Sequence, residues 1–156
     1  MKPTPGGWPR ISASLYYQDA GVAIDWLGRA FGLEPRLIVE GDDGDIVHSE
    51  LTFGEGVVMV GSAAHRPWYR SPRALGGGNS QSLMVYVDDV EEHCARARAA
   101  GATIATEPST SDYGEEYWSD RSYEAVDCEG HHWWFCQRLA TGTAPRKGGV
   151  RVKEHG

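Results

Sequence analysis

The chain has 156 residues, 40% hydrophobic and 24% charged, with a formal net charge of −7. A chain of this length buries about 68–70% of its extended surface, enough for one compact domain or two small modules sharing a core, without disulfides or metal. The acidic balance repels phosphate backbones and excludes nucleic acid as a partner, and no run of 18 apolar residues offers a membrane span.

The opening "MKPTPGGWPR" has no signal-peptide core and reads as an arm over residues 1–10. Cys94, Cys128 and Cys136 form no C-x-x-C pair and leave one odd, which suits a reducing cytoplasm. Six Trp and seven Tyr stand against three Phe, a balance favoured where aromatic rings keep one end wet, as in pockets and interfaces.

"ISASLYY" (11–17) is a β-prone run. Asp19 then caps a helix in which Ala23, Leu27 and Phe31 recur on one face, and Gly32 closes it. "EPRLIVEG", "GDIVHSELTFG" and "GVVMVGS" follow as strands split by Asp-Asp-Gly and Gly-Glu-Gly turns, so residues 11–62 form a β-α-β-β-β unit. Residues 63–81 hold "HRPWYRSPRALGGGNSQ", a connecting loop or, since Trp68 and Tyr69 are costly to leave on an idle loop, a lid over a pocket. The order then returns over 82–139. "SLMVYV" is a strand, Asp89 with Glu92 has the spacing of a capping box, and Val90, Cys94 and Ala97 give a buried stripe ended by Gly101. "ATIATEP", "DRSYEAVD" and "HHWWFCQ" complete the second unit around the turn "DCEG". Overlaying the halves sets "YYQD" on "YVDD" at a shift of about seventy residues, the signature of a duplication. Residues 140–156 are basic and read as a disordered tail.

The units "YYQDAGVAIDWLGRAFGLEP" and "YVDDVEEHCARARAAGATI" with "YEAVDCEGHHWWF" resemble the vicinal oxygen chelate superfamily, which includes glyoxalase I, extradiol dioxygenases and bleomycin-resistance proteins. The resemblance implies an α+β fold of two tandem βαβββ modules, a curled mixed sheet around a cup, with the helices on the convex side. Metal-dependent relatives place one ligand on the first and last strand of each module. Here the aligned positions are Ser12, Met59, Ser82 and Trp134, with Gln81 the nearest alternative ligand and one residue out of register. A zinc, nickel or iron site needs three or four converging N, O or S donors, so neither metal nor other cofactor is expected.

In the strand "HHWWFCQ", His132, Trp134 and Cys136 share one face, which the family register turns into the cup, while Trp133 and Phe135 are core. His131 reads as a turn-end histidine satisfied by backbone; His132 is either structural or pocket-lining. In "IVHSELTFG" the alternation sends Val47, Leu51 and Phe53 to the helix side and His48, Glu50 and Thr52 to the cup. His48 and Glu50 are either an acid/base pair or a polar pair lining a cavity. In "DYGEEYWSDRSY", Tyr113, Tyr117 and Trp118 could clamp a planar ligand while Asp112, Glu115 and Glu116 attract positive charge; otherwise the segment is a solvated hairpin loop.

These readings lead to a metal-free small-molecule receptor of the bleomycin-resistance type, sequestering an aromatic or cationic drug or metabolite with His48, Glu50, Met59, Trp68, Tyr86, Tyr117, Trp118, His132 and Trp134. The family implies a cup completed by a second subunit, hence a homodimer. The rival is a glyoxalase-like isomerase, lyase or cyclase using His48 and Glu50. Whether the cup closes within one chain is open at this stage.

Overall fold

A computed structural model describes residues 1–143; the part of the basic tail beyond them lies outside the described residues. The first unit comprises β1 (Ala13–Tyr17), α1 (Ala20–Phe31), β2 (Glu34–Glu40), β3 (Ile46–Phe53) and β4 (Gly56–Ser62). The second comprises β5 (Ser82–Tyr86), α2 (Val90–Ala99), β6 (Thr103–Asp112), β7 (Trp118–Val126) and β8 (His132–Thr141). The linker carries two short 3-10 turns, Ala63–His65 and Pro72–Leu75.

Each unit folds into its own four-stranded sheet, in the orders β1-β4-β3-β2 and β5-β8-β7-β6. In both, the first strand pairs parallel with the last and the remaining pairs are antiparallel. The fold is therefore α+β, with the two βαβββ modules in tandem.

Local chemistry explains the element ends. The Asp19 carboxylate accepts from the Val22 amide and the Asp89 carboxylate from the Glu91 and Glu92 amides, so one residue type caps both helices at matching places. Gly32 ends α1 at φ 79°, a left-handed conformation that a β-carbon disfavours.

The two modules share one core. Leu15, Tyr17, Leu51 and Val60 of the first sheet lie in the same buried cluster as Tyr123, Ala125, Trp133 and Phe135 of the second. The helices lie between them. Phe31, at the end of α1, packs on Trp133 and Phe135 of β8, and the Trp26 indole donates to the Ala100 carbonyl beyond α2. Arg96 of α2 donates to the Gly28 and Arg29 carbonyls at the end of α1. His93 joins this layer: Nε2 donates to the Phe31 carbonyl and Nδ1 accepts from the Tyr123 hydroxyl.

Because the helix-side faces meet in that core, the opposite face of each sheet lies on the outside, partly covered in the first module by the linker and the N-terminal residues. One chain thus presents two separate faces, one on each four-stranded sheet.

The alternation of β3 breaks at one point. Val47, expected on the helix side, is exposed, while Ile46 and Leu51 reach the core. The β2–β3 register steps from Val39↔His48 to Glu40↔Ile46, leaving Val47 as an extra residue in a bulge, where side-chain alternation is lost.

Candidate functional site

The face of the first module is built from neighbours on three strands. Ser14 of β1 lies beside Met59 of β4, which lies beside Glu50 of β3. His48 Nε2 donates to Glu50 Oε1 at 3.3 Å, and Arg36 Nε donates to Glu50 Oε2 at 2.7 Å. Arg36 is itself the extra residue of a second bulge, between Pro35↔Leu51 and Leu37↔Glu50, and a bulge re-aims the side chain it carries. The Arg36 guanidinium holds the Glu50 carboxyl below the usual carboxylate range, with a smaller contribution from His48.

The linker folds over the β1 end of this face. Tyr69 stacks on Tyr16 with ring centroids 4.0 Å apart and planes 6° off parallel. Beneath and beside that stack lie two cavities that share Ser14 and Tyr16. One, of about 520 Å³, is bounded by Tyr69, Arg70, Asn79 and Gln81; the other, of about 160 Å³, reaches His48, Met59 and Arg66. Trp68 points elsewhere and is 86% exposed. The aromatic residue that the linker brings to the face is Tyr69, one position later, because Tyr16 offers it a parallel ring.

The linker is tied down by the turn "DCEGH". The buried Glu129 carboxylate accepts from the Ser71 hydroxyl at 2.5 Å and from the Gln18 and Asp19 amides at 2.8 and 2.9 Å. Burial pushes its pKa up, but those hydrogen bonds and the Arg73 charge outweigh it and hold the carboxyl below the usual range. Asp127 accepts from the Tyr17 hydroxyl at 2.6 Å and the Trp133 indole at 3.0 Å. Burial next to these two carboxylates pushes the Cys128 thiol up to about 12, so it is no nucleophile at neutral pH. His131 donates to the Tyr16 carbonyl at 3.0 Å, the backbone-bound role expected of it. Sequence reading took this stretch as a turn followed by a strand; its acidic residues clasp β1, the linker and β8 together.

The face of the second module is richer in rings. Met84 and Tyr86 of β5 lie beside Trp134 and Cys136 of β8, and Trp134 lies beside Glu124 of β7. Met84 is 61% exposed. His132 Nδ1 donates to Glu124 Oε1 at 2.7 Å, and the Thr106 hydroxyl donates to Glu124 Oε2. Arg138 donates to Asp120 and to the Tyr86 hydroxyl, each at 2.5 Å, and its guanidinium lies 5.4 Å from the Tyr86 ring centroid and 5.5 Å from that of Trp118. Tyr113 and Tyr117 pack against Trp118 at the hairpin end. Pairing continues to Asp112↔Ser119, so the residues 112–118 make a tight turn on a long hairpin, with Glu115 and Glu116 at its exposed tip.

The structure therefore divides the nine residues singled out from sequence. His48, Glu50 and Met59 lie on one face; Tyr86, Tyr117, Trp118, His132 and Trp134 belong to the other; Trp68 lies on neither. Arg36, Tyr16, Asp120, Glu124 and Arg138 were missed, and Tyr69 was noted only with Trp68 as part of the linker. The repeat carried a signal for some of these, since Tyr16 and Tyr86 hold equivalent places in "YYQD" and "YVDD". The carboxylates on the faces, Glu50, Asp120 and Glu124, are each paired, so the faces are more aromatic than acidic.

At the four positions that the resemblance aligns with metal ligands, Ser12, Met59, Ser82 and Trp134, the side chains are two hydroxyls, a thioether and an indole. Ser12, whose hydroxyl is buried without a partner, lines a cleft of about 770 Å³ between β1 and β5 rather than the cavities beside Met59. That donor set does not suit an ion. Among the described residues, no three His, Cys, Asp or Glu side chains are grouped to hold one. Nor, among them, is any helix long and apolar enough to cross a membrane.

The family model described as Glyoxalase/Bleomycin resistance protein/Dioxygenase superfamily matches residues 11–135. The chain belongs to that superfamily. An uncharacterised protein of Mycobacterium bovis is 31% identical over 128 residues, covering 80% of this chain and 80% of its own length. TioX from Micromonospora sp. ML1 superposes with a TM-score of 0.65 at 34% identity, over 85% of this chain and 100% of TioX. A superfamily member from Sphaerobacter thermophilus gives a TM-score of 0.61 at 18% identity, over 81% and 94% of the two chains, a likeness of fold alone.

Proposed function

We propose that the chain is a receptor that sequesters a planar aromatic or cationic small molecule, without a metal and without chemistry, in cups completed by a second copy. The observation that carries this reading is the open face of β5, β8 and β7, where Trp134 lies beside Glu124 of the Glu124–His132 pair and, farther along the strands, Tyr86 and Trp118 lie about Arg138. Large rings left open on a rigid sheet supply stacking and buried area, at about 0.5–1.5 kcal/mol per ring pair beyond burial, while a few fixed polar groups set orientation.

A homodimer follows from the division of the faces. In it the face of the first module in one copy closes over the face of the second module in its partner, so each cup gathers all eight of the residues that a single chain holds apart. Met84, Leu37, Ile38 and Val39 are exposed apolar surface of the kind a partner covers.

The two His–carboxylate pairs favour a second reading, an acid/base enzyme. Arg36 weighs against it at Glu50, because a carboxylate held below its usual pKa is a poor proton acceptor near neutral pH.

Acridine orange, planar and cationic, is a suitable probe. Titration followed by tryptophan fluorescence should show saturable quenching with two probes per dimer, and Trp134→Ala should weaken binding about ten-fold. The same preparation should carry no stoichiometric metal, and Ni²⁺, Zn²⁺, Mn²⁺ and Fe²⁺ should not raise its melting temperature. A stoichiometric bound ion, or probe binding untouched by Trp134→Ala, overturns the receptor reading.

A further inference from the structure

Residues 1–10 lie outside the family match, yet Gly7 and Trp8 among them are docked on the first module's face. Arg36 makes the contact. One of its terminal nitrogens donates to the Gly7 carbonyl at 2.5 Å, and its guanidinium lies 4.6 Å from the centroid of the Trp8 ring. The Nε of the same side chain holds Glu50, which holds His48. The arm has the shape for this. Gly7 adopts φ 74°, a left-handed turn, and the Trp8 amide donates to the Pro5 carbonyl, so the chain folds back and presents the indole. Arg10 donates to the Lys2 carbonyl and ties the arm's two ends together.

The bulge at Arg36 turns that side chain over the face. The guanidinium then has two partners of different kinds: a carboxylate within the site and an aromatic ring above it.

We propose that the N-terminal arm is a working part of the ligand site: Trp8 is an additional ring wall at the β2 side of the first module's face, and Arg36 is the positioning residue that holds it there. The inference rests on the receptor reading above and deepens it. A planar ligand seated beside Glu50 and Met59 would have Trp8 as a neighbour on the side away from the Tyr16–Tyr69 stack. Because a wall contact is made only in the bound state, Trp8 acts chiefly on the dissociation rate. Arg36 couples the two: a cation that takes Glu50 from Arg36 also loosens the arm, whereas a neutral ring that leaves the ion pair intact keeps the arm down. Neutral planar aromatics are therefore the class retained longest at this face.

The test uses the full chain, labelled with 5-fluorotryptophan and read by fluorine NMR, with the Trp8 resonance identified by its loss in Trp8→Phe. Arg36→Gln should move that resonance to the position of a solvent-exposed tryptophan; an unmoved resonance overturns the clasp. Acridine, uncharged above neutral pH, and acridine orange are then titrated against the wild type, Trp8→Ala and Arg36→Gln. Each variant should bind acridine about three- to ten-fold more weakly, mostly through faster dissociation, the range expected for one ring contact. The double variant should lose no more than Arg36→Gln alone, because both changes remove the same element. Equal affinities and dissociation rates in all chains overturn the arm's role while leaving the receptor reading intact. Failure of both probes to bind the wild type overturns the receptor reading and this inference with it.

Discussion

Glu129→Gln removes one charge and one acceptor from a buried clasp while keeping the side chain's shape. The wild-type carboxylate takes three short hydrogen bonds, from Gln18, Asp19 and Ser71. A hydrogen bond to a charged group contributes about 1.5–3 kcal/mol net. The amide oxygen of glutamine can keep part of the set, and water can reach the exposed Gln18 and Asp19 loop, but Ser71 is fully buried and at least one N–H then faces another donor. The expected loss is about 2–3 kcal/mol, or roughly 5–12 °C in melting temperature for a domain of this size. Urea denaturation at pH 7 measures it. The pH dependence adds a sign. The folded carboxyl titrates below its unfolded value, so its stabilisation is complete above an unfolded pKa of 4.5 and fades as the pH falls through the lowered folded value. The gap between wild type and variant should therefore narrow between pH 7 and pH 3.5. Trypsin should also cut the variant sooner at Arg70 and Arg73, since Ser71 no longer anchors the linker. A loss below about 0.5 kcal/mol, with linker cleavage unchanged, would refute the view that this turn holds the linker over the site.

His93 should give acid sensitivity in a different range. Burial lowers its pKa, with Arg96 acting in the same direction, so its neutral form belongs to the folded state and its contribution is complete above an ordinary value of 6.5, fading as the pH drops further. His93→Gln should melt lower at pH 7 by about 1–3 kcal/mol, from the lost Tyr123 and Phe31 hydrogen bonds, yet show a flatter melting profile between pH 7 and pH 5.5; calorimetry at several pH values checks both. Gly32→Ala should cost about 1–2 kcal/mol in chemical denaturation, because the residue needs φ 79° and a β-carbon there would lie 3.0 Å from the Arg96 guanidinium.

Elements were legible in this sequence where one residue decides locally. Asp19, Gly32 and Asp89 mark helix ends by chemistry that acts within a few positions, and the repeat of β-α-β-β-β survives because each module repeats the same punctuation. Bulges were not legible. Alternation assigned Val47 to the core and gave Arg36 no role, since an extra residue in a strand changes no local signal and appears only when the partner strand sets the register. Faces were half legible: strand parity placed His48 with Glu50 and His132 with Trp134. It could not show that the two sets point away from each other, which depends on how α1 and α2 pack across the core. Distance in sequence hid the rest. The carboxylate of Glu129 meets Gln18 and Ser71 across long stretches of chain, as Tyr69 meets Tyr16.

The burial of Phe31 against Trp133 and Phe135 has a consequence for how the repeat melts. Two copies of one motif invite the expectation of two transitions, yet the tip of the first copy's helix is a structural member of the second copy's interior. Neither half can expose that ring without tearing open the other, so the halves, alike in pattern, are bound to lose their order as a single cooperative unit.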